Sequence, residues 1–130
     1  MTNAAHTAIQ RWHELVASRN FDGLDQLLAD DVVFQSPAVH APQVGREVTL
    51  KYLEAAFRVL ANEHFRYRDE WIAGRQAVLE FETRLGDVEV NGVDMIWWND
   101  AGRISRFKVM VRPVKALQTL MPLMAKELQG

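Results

Sequence analysis

One carboxylate in the chain is flanked by large apolar residues, and that environment could make it an acid or a base near neutral pH. Asp94 lies in the run VDMIWW, residues 93–98. If this run is a strand, Asp94 shares one face with Ile96 and Trp98. Burial between such side chains disfavours the charged form and raises the pKa of the carboxyl group. The run therefore predicts an acid/base role for Asp94; the alternative is a structural carboxylate that bonds a backbone group or a buried arginine.

A histidine between two prolines is the second candidate for proton transfer. His40 lies between Pro37 and Pro42, in a segment whose composition predicts a loop. Histidine titrates closest to physiological pH, so His40 could supply a base, and the alternative is a solvated loop histidine. The four histidines include no pair at i,i+4 spacing, and the chain has no HExxH pattern. We therefore expect no metal.

Large aromatic residues fall on the predicted inward faces of several elements. Such residues usually fill a core, but their convergence around Asp94 also predicts a pocket for a flat, apolar ligand. We expect the pocket to be lined by ten residues besides Asp94: Trp12, Phe34, Ser36, Phe57, Tyr67, Trp71, Phe81, Ile96, Trp98 and Phe107.

The opposite face of the strand that carries Asp94 predicts a contact between subunits. Alternation places Met95 and Trp97 on that face. An exposed tryptophan beside a methionine is typical of protein interfaces. We therefore expect a twofold homodimer joined through this surface.

These side chains must be positioned by an α+β domain. Apolar spacing predicts a helix around Trp12, a short second helix, a strand at 32–36 and a third helix from Leu50 to Leu60. From His64 onward, apolar and polar residues alternate, which predicts four strands. The connections between them are too short for crossovers, so we expect an antiparallel sheet. Asn91-Gly92 predicts a bulge or break in the third of these strands. A final helix follows Pro113, and Pro122 should kink or split it.

Length and composition limit the classes of protein. A chain of 130 residues and 14.9 kDa predicts one domain over residues 1–130. The net charge of −2 gives no general attraction to nucleic acid or to an anionic membrane. The chain has no cysteine, no glycine-rich phosphate loop, no apolar run of membrane-spanning length and no secretory signal pattern. We expect a cytoplasmic protein without a cofactor.

Three segments resemble the nuclear transport factor 2-like superfamily, and together they span most of the chain. They are NFDGLDQLLADDVVFQSP at residues 20–37, Gly45 before the third helix, and VDMIWWNDAGRISRFKVMVRP at residues 93–113. The resemblance implies a cone: a curved antiparallel sheet wrapped around the three helices of the N-terminal half, here with an extra C-terminal helix. Members include ketosteroid isomerases, SnoaL-like polyketide cyclases and non-enzymatic binding proteins, so the fold alone does not define an activity.

The resemblance to ketosteroid isomerase is incomplete at the residues that carry that reaction. The late-strand acid of that family matches Asp94, but the tyrosine of its first helix is replaced by Trp12 and its general base by Ser36. SnoaL-like cyclases depend more on the late-strand acid alone. The resemblance thus implies cofactor-independent acid/base chemistry on an apolar carbonyl or polycyclic substrate, but not standard steroid isomerisation. The alternative is a non-catalytic ligand-binding or dimerisation domain.

Overall fold

A computed structural model describes residues 4–129. The elements in order are α1 (Ala4–Ser18), α2 (Leu24–Leu27), β1 (Leu28–Gln35), β2 (Gln43–Val44), α3 (Arg46–Leu60), β3 (Arg66–Ala73), β4 (Gln76–Leu85), β5 (Val88–Trp98), β6 (Ile104–Arg112) and α4 (Val114–Gln129).

The second half of the chain forms the predicted antiparallel meander. Strands β3, β4, β5 and β6 pair in succession through short connections. Residues of β4 and β5 alternate between buried and partly exposed positions, as a sheet with one covered face requires. The β4–β5 turn contains Gly86 with φ 63°, a left-handed conformation that glycine adopts without steric cost.

The sheet as a whole is mixed, so the prediction of a purely antiparallel sheet was wrong. The order β2-β1-β6-β5-β4-β3 places β1 beside β6, and these two strands run parallel. The chain between them includes α3 and the meander, which gives it the length that a parallel pairing needs. The first strand also begins earlier than predicted, at Leu28, so that Asp30 and Asp31 lie within it.

The pairing of β5 is regular at Asn91-Gly92, and the register shift that matters for the site lies in β3. Asn91 and Gly92 pair continuously with Glu82 and Phe81, so the bulge predicted there was wrong. Instead, the pairing of β3 with β4 shifts between Tyr67 and Asp69. The extra residue reverses which side chains of β3 face inward beyond that point.

The curved, open sheet covers one hydrophobic core that it shares with the helices, which confirms the predicted cone-shaped α+β fold. The three helices of the N-terminal half are present, although α2 has only four residues. The fourth helix runs from Val114 to Gln129 through Pro122, so the proline does not split it. None of the helices within residues 4–129 is long and apolar enough to cross a membrane.

Candidate functional site

A cavity of about 240 Å³ lies between the concave face of the sheet and the helices. Its walls come from α1, α3, β1, the inner strands, α4 and the loop after β1. Almost all of the lining is hydrocarbon or aromatic, and Asp94 is the only carboxylate that the described residues contribute to it. Among the described side chains, those of residues 8–129, no lysine, arginine or histidine lines it, so these residues offer no cationic group to an anionic ligand.

Asp94 reaches this cavity from the middle of the sheet. It lies on β5, directly between Leu79 of β4 and Val109 of β6. Its side chain is on the concave face with Ile96 and Trp98, as the alternation predicted, and the residue is only 7% exposed. The central strand thus places the carboxyl group away from bulk water, with apolar neighbours on both sides.

A chain of two hydrogen bonds joins Asp94 to the first helix. The Tyr67 hydroxyl donates to Oδ2 of Asp94 at 2.6 Å. The same hydroxyl accepts a hydrogen bond from Nε1 of Trp12 at 2.9 Å. Residues from α1, β3 and β5 therefore meet at one point, which explains how positions far apart in the sequence form one polar group.

The surroundings of these two hydrogen bonds favour the neutral forms of both Asp94 and Tyr67. Burial raises the pKa of Asp94 from 3.8 to about 7, although the hydrogen bond from Tyr67 opposes the shift. Burial, together with the nearby charge of Asp94, raises the pKa of Tyr67 well above its usual value. Near neutral pH the Asp94 carboxyl group can therefore both give and accept a proton, while Tyr67 stays protonated.

A second polar pair lies on the outer side of Tyr67. Nε2 of His13 is 2.5 Å from Oε1 of Glu70, and both side chains are partly exposed. The His13 ring meets the Tyr67 ring edge-on at 5.2 Å between centroids. The pair connects α1 to β3 and covers the ring of Tyr67 without lining the cavity.

The structure brings most of the predicted pocket residues together. Those that line the cavity with Asp94 are Trp12, Phe34, Ser36, Phe57, Tyr67, Phe81 and Phe107. Ile96 and Trp98 are buried in the core but do not line the cavity.

Two predicted site residues lie elsewhere. Trp71 is 57% exposed, because the register shift in β3 turns it to the convex face, where it pairs with Val78. His40 is exposed in the loop after β1 and does not line the cavity. The prediction that Trp71 lines the pocket was therefore wrong, and His40, which was predicted as a base, does not reach the cavity wall.

Ser36 lines the cavity but also organises the loop at its edge. Its Oγ accepts hydrogen bonds from the backbone N–H groups of Ala38 and Val39, at 3.2 and 3.0 Å. These bonds fold the segment after β1 into a turn, and Pro37, Ala38 and Val39 then contribute to the cavity wall. The hydroxyl group thus has a structural function at this position.

Several residues of the cavity wall were not predicted from the sequence. Tyr52 and Phe65 line the cavity, and α4 contributes Leu120, Met121, Met124 and Leu128. The apolar stripe of α4 is visible in the sequence, but only the tertiary structure shows that this helix packs against α3 and closes one side of the cavity. Tyr52 had a weaker signal, because it lies beside the main apolar face of α3.

The convex face carries an apolar group of residues, here called the convex patch: Trp71, Val78, Val93, Met95 and Met110. Cross-strand pairs join them, since Val78 pairs with both Trp71 and Met95, and Val93 pairs with Met110. Met110 is 50% exposed. Trp97 lies at the same face, with the Arg106 guanidinium 4.6 Å from its ring centroid. Met95 and Trp97 are only partly buried on this face, as predicted.

Comparison with known proteins gives one family and a consistent set of structures. The sequence profile of the SnoaL-like domain matches residues 9–107. A steroid delta-isomerase from Pseudomonas aeruginosa is 40% identical over 99% of this chain and 94% of that chain, with a TM-score of 0.93. An uncharacterized cystatin-like-fold protein from Silicibacter pomeroyi DSS-3 is 33% identical over 95% and 86% of the two chains, with a TM-score of 0.86.

More distant structures share the fold alone. An NTF2-like protein of unknown function from Mesorhizobium loti is 18% identical, covers 85% of this chain and 92% of its own, and has a TM-score of 0.73. No curated protein matches the chain.

Proposed function

The chain belongs to the SnoaL-like domain family of the nuclear transport factor 2-like superfamily, and from this we propose that it is a cofactor-independent enzyme of the isomerase or cyclase type. The observation that carries the proposal is a single carboxyl group, with a pKa raised to about 7, at the wall of an apolar cavity. A group that titrates near the working pH transfers protons in both directions most effectively.

The proposed reaction moves one proton within a carbonyl compound. The Asp94 carboxylate removes a proton from carbon next to the carbonyl group, and the C–H electron pair moves to form an enolate. The protonated Asp94 then returns the proton to carbon, at the original position or at a conjugated one. Proton and charge balance without an oxidant, a reductant or a metal, and the side chain ends as it began.

The lining of the cavity is complementary to a neutral, mostly apolar substrate with one polar end. Its wall offers hydrocarbon and aromatic surface to the body of the ligand, and its few polar side chains include Asp94, Tyr67, Tyr52 and Ser36. A carboxylate or phosphate ester would be repelled by ionised Asp94 and would find no cation among the described residues of the lining. The substrate class is therefore an apolar or polycyclic ketone or a related carbonyl compound.

Deuterium exchange tests the chemistry without knowledge of the product. Neutral cyclic ketones of increasing size are incubated with the protein in D2O, and incorporation beside the carbonyl group is followed by NMR. We expect exchange above the buffer rate for at least one ketone that fits the cavity. Asp94→Asn should lower that rate by roughly 10²–10⁴-fold, the range typical of general acid–base catalysis. Asp69→Asn, at an exposed position of β3, is the matched control and should not change it.

A non-catalytic binding domain would give a different result. Ketones would then bind, as detected by chemical-shift changes at the cavity residues, yet no exchange would exceed the buffer rate at any pH. That outcome would contradict the proposed enzyme and favour the binding function.

We also propose that two copies associate through the convex patch. Its tryptophan, methionines and valines are typical of interface cores, and arginine or lysine side chains lie along one side on β6. A twofold axis along β5 would set β4 of one copy over β6 of the other. The proposed cavity chemistry does not depend on this association.

A further inference from the structure

The order of donors and acceptors in the chain from Trp12 to Asp94 can be assigned from chemistry alone. The indole Nε1–H only donates, and it occupies one lone pair of the Tyr67 hydroxyl oxygen. A hydroxyl group has a single proton, so the Tyr67 proton is directed to Oδ2 of Asp94. If Oδ2 carried the carboxyl proton, the Tyr67 hydroxyl proton would have no acceptor among the described residues, so Oδ2 acts as the acceptor in both charge states of Asp94.

This order leaves one place for the exchangeable proton of the carboxyl group. Within residues 4–129, the hydrogen bond that Asp94 makes uses Oδ2. Oδ1 is not among the buried polar atoms that lack a partner, which is consistent with an oxygen open to the cavity that Asp94 lines. Resting on the proposed function, we propose that Trp12 is a positioning residue that acts through Tyr67 to hold the transferable proton of Asp94 on the cavity-facing oxygen Oδ1.

The groups around this chain do not supply a competing donor. Glu70 is held by His13 on the outer side of Tyr67, and Tyr52 of α3 is the other ionisable side chain in the described cavity wall. The neighbouring positions on β4 and β6 are Leu79 and Val109, and α4 presents only apolar side chains. The Trp12 indole is therefore the group that sets the direction of the Tyr67 hydroxyl.

Removal of the indole N–H should change the titration of Asp94 in a defined direction. Without that donor, the Tyr67 hydroxyl can accept a proton from Oδ2, which stabilises neutral Asp94. The hydroxyl is also a weaker donor to the Asp94 carboxylate, because its own oxygen is less polarised. Both effects favour the protonated form, so the pKa of Asp94 should rise.

The experiment measures the titration of Asp94 in the ligand-free protein. The ¹³C shift of its carboxyl carbon is followed against pH after aspartate labelling, and its signal is assigned by its loss in Asp94→Asn. We expect Trp12→Phe to raise the midpoint of the Asp94 titration. Tyr67→Phe should raise that midpoint more, by about one pH unit above the wild type, because this variant removes a hydrogen bond to a charged group. Benzothienylalanine at position 12 keeps the bicyclic ring without the N–H and should reproduce the Trp12→Phe shift if that variant folds poorly.

Trp98→Phe is the matched control, because Trp98 is also a buried indole but its Nε1 has no hydrogen-bond partner among the described residues. We expect the Asp94 midpoint to be unchanged in Trp98→Phe. In the Tyr67→Phe background, adding Trp12→Phe should have no further effect, since Trp12 acts only through the hydroxyl.

Three results would overturn the inference: an unchanged midpoint in Trp12→Phe or the benzothienylalanine protein, an equal shift in Trp98→Phe, or a Trp12 effect that persists without the Tyr67 hydroxyl. This titration needs no substrate. If no deuterium exchange is found while the midpoints shift as expected, the position of the Asp94 proton on Oδ1 is supported and its use in catalysis is contradicted.

Discussion

Asp94 accepts a hydrogen bond from Tyr67 and yet has a raised pKa, because burial opposes its charge more than one hydroxyl group supports it. The protein thus keeps a carboxyl group mainly neutral in the core at low pH and divided between both forms near pH 7. Loss of the Tyr67 donor would move the balance further toward the neutral form. The pair formed by these two residues therefore defines the acid/base properties of the cavity.

Stability should depend on pH through Asp94. Above pH 3.8 the unfolded chain loses this proton, whereas the folded protein keeps it until about pH 7. The folded state then binds more protons, so the contribution of Asp94 to stability is complete below pH 3.8 and is lost as the pH rises through 7. The total change is roughly 4 kcal/mol.

Urea unfolding at pH values from 4 to 8 measures this effect as the difference between wild type and Asp94→Asn. We expect the wild type to lose stability relative to the variant across that interval. The free energy of unfolding of Asp69→Asn should depend on pH in the same way as that of the wild type. A constant difference between wild type and Asp94→Asn would show that Asp94 titrates alike in both states.

Steroid isomerisation should be slow in the wild type, although the Pseudomonas aeruginosa relative carries that name. Ser36 lies before Pro37, where the isomerase family has its base. A steroid bound as in that family would place its reacting carbon beside Ser36 rather than Asp94, and a hydroxyl group is a poor base near pH 7. Ser36→Asp keeps an acceptor for the Ala38 and Val39 N–H groups and adds basicity, so it should raise the rate at least about tenfold.

The measurement is the isomerisation of a Δ5-3-ketosteroid, followed by absorbance. A wild-type rate far above the uncatalysed background that is lost in Ser36→Ala would show that Ser36 takes part in the reaction.

Individual site residues were predictable where a local pattern marked them. Asp94 was found because its apolar neighbours and strand alternation imply burial, and Trp12 and Tyr67 were found as inward aromatics. Their hydrogen-bonded order was not predictable, because it depends on the packing of residues 55 and 27 positions apart. His40 was wrongly included, because a loop histidine looks the same in sequence whether or not the loop folds over a cavity.

For the helices and strands as well, features set by local sequence were predictable and features set by distant contacts were not. The meander was predictable, since short connections force neighbouring strands to be antiparallel. The parallel pairing of β1 with β6 and the register shift at Arg68 were not, because both arise from contacts across the sheet. One extra residue in β3 sends Trp71 to the convex face and turns Glu70 toward His13 on α1. A strict alternation rule fails at every residue beyond such a shift.

Gly92 of β5 allows the Phe81 ring of β4 and the Met110 carbonyl group of β6 to pack close against it. A Cβ atom there would lie 2.5 Å from Cζ of Phe81 and 2.6 Å from the carbonyl oxygen of Met110. We expect Gly92→Ala to destabilise the fold by about 1–3 kcal/mol, since the Phe81 ring would have to move into the cavity. It should also weaken binding of any ketone found by deuterium exchange.

Chemical denaturation measures the loss of stability. The control is Gly74→Asn, which changes a turn glycine that has open space around it and a φ of 60° that asparagine tolerates. Equal stability of Gly92→Ala and wild type would contradict the close packing of Phe81.

At the scale of the whole molecule, the sheet separates the candidate site from the proposed interface. Its concave face surrounds the cavity, and its convex face carries the convex patch with Trp97 and its arginine partner. Because adjacent residues of β5 serve opposite faces, the change of one side chain can alter association without touching the site.

The protein should sediment as a dimer, with twice the 14.9 kDa mass of one chain, at micromolar concentration. Met95→Lys and Trp97→Lys should both give monomers, because each places a charge in the proposed contact. Lys51→Glu, at an exposed position of α3 and away from the sheet, is the control for charge. Sedimentation at the mass of a single chain for the wild type, or an unchanged dimer in both lysine variants, would exclude this face.

The parallel pairing of β1 with β6 also has a kinetic consequence. The meander can form by successive local closures, but β1 can pair only after a loop of about seventy residues has closed, which carries the larger entropic cost. We therefore expect the cavity to be enclosed last during folding. Pulse-labelling hydrogen exchange should protect the amides of β4 and β5 before those of β1, and protection of β1 first would contradict this order. A nascent chain would then have no ligand site until its final strands had been synthesised.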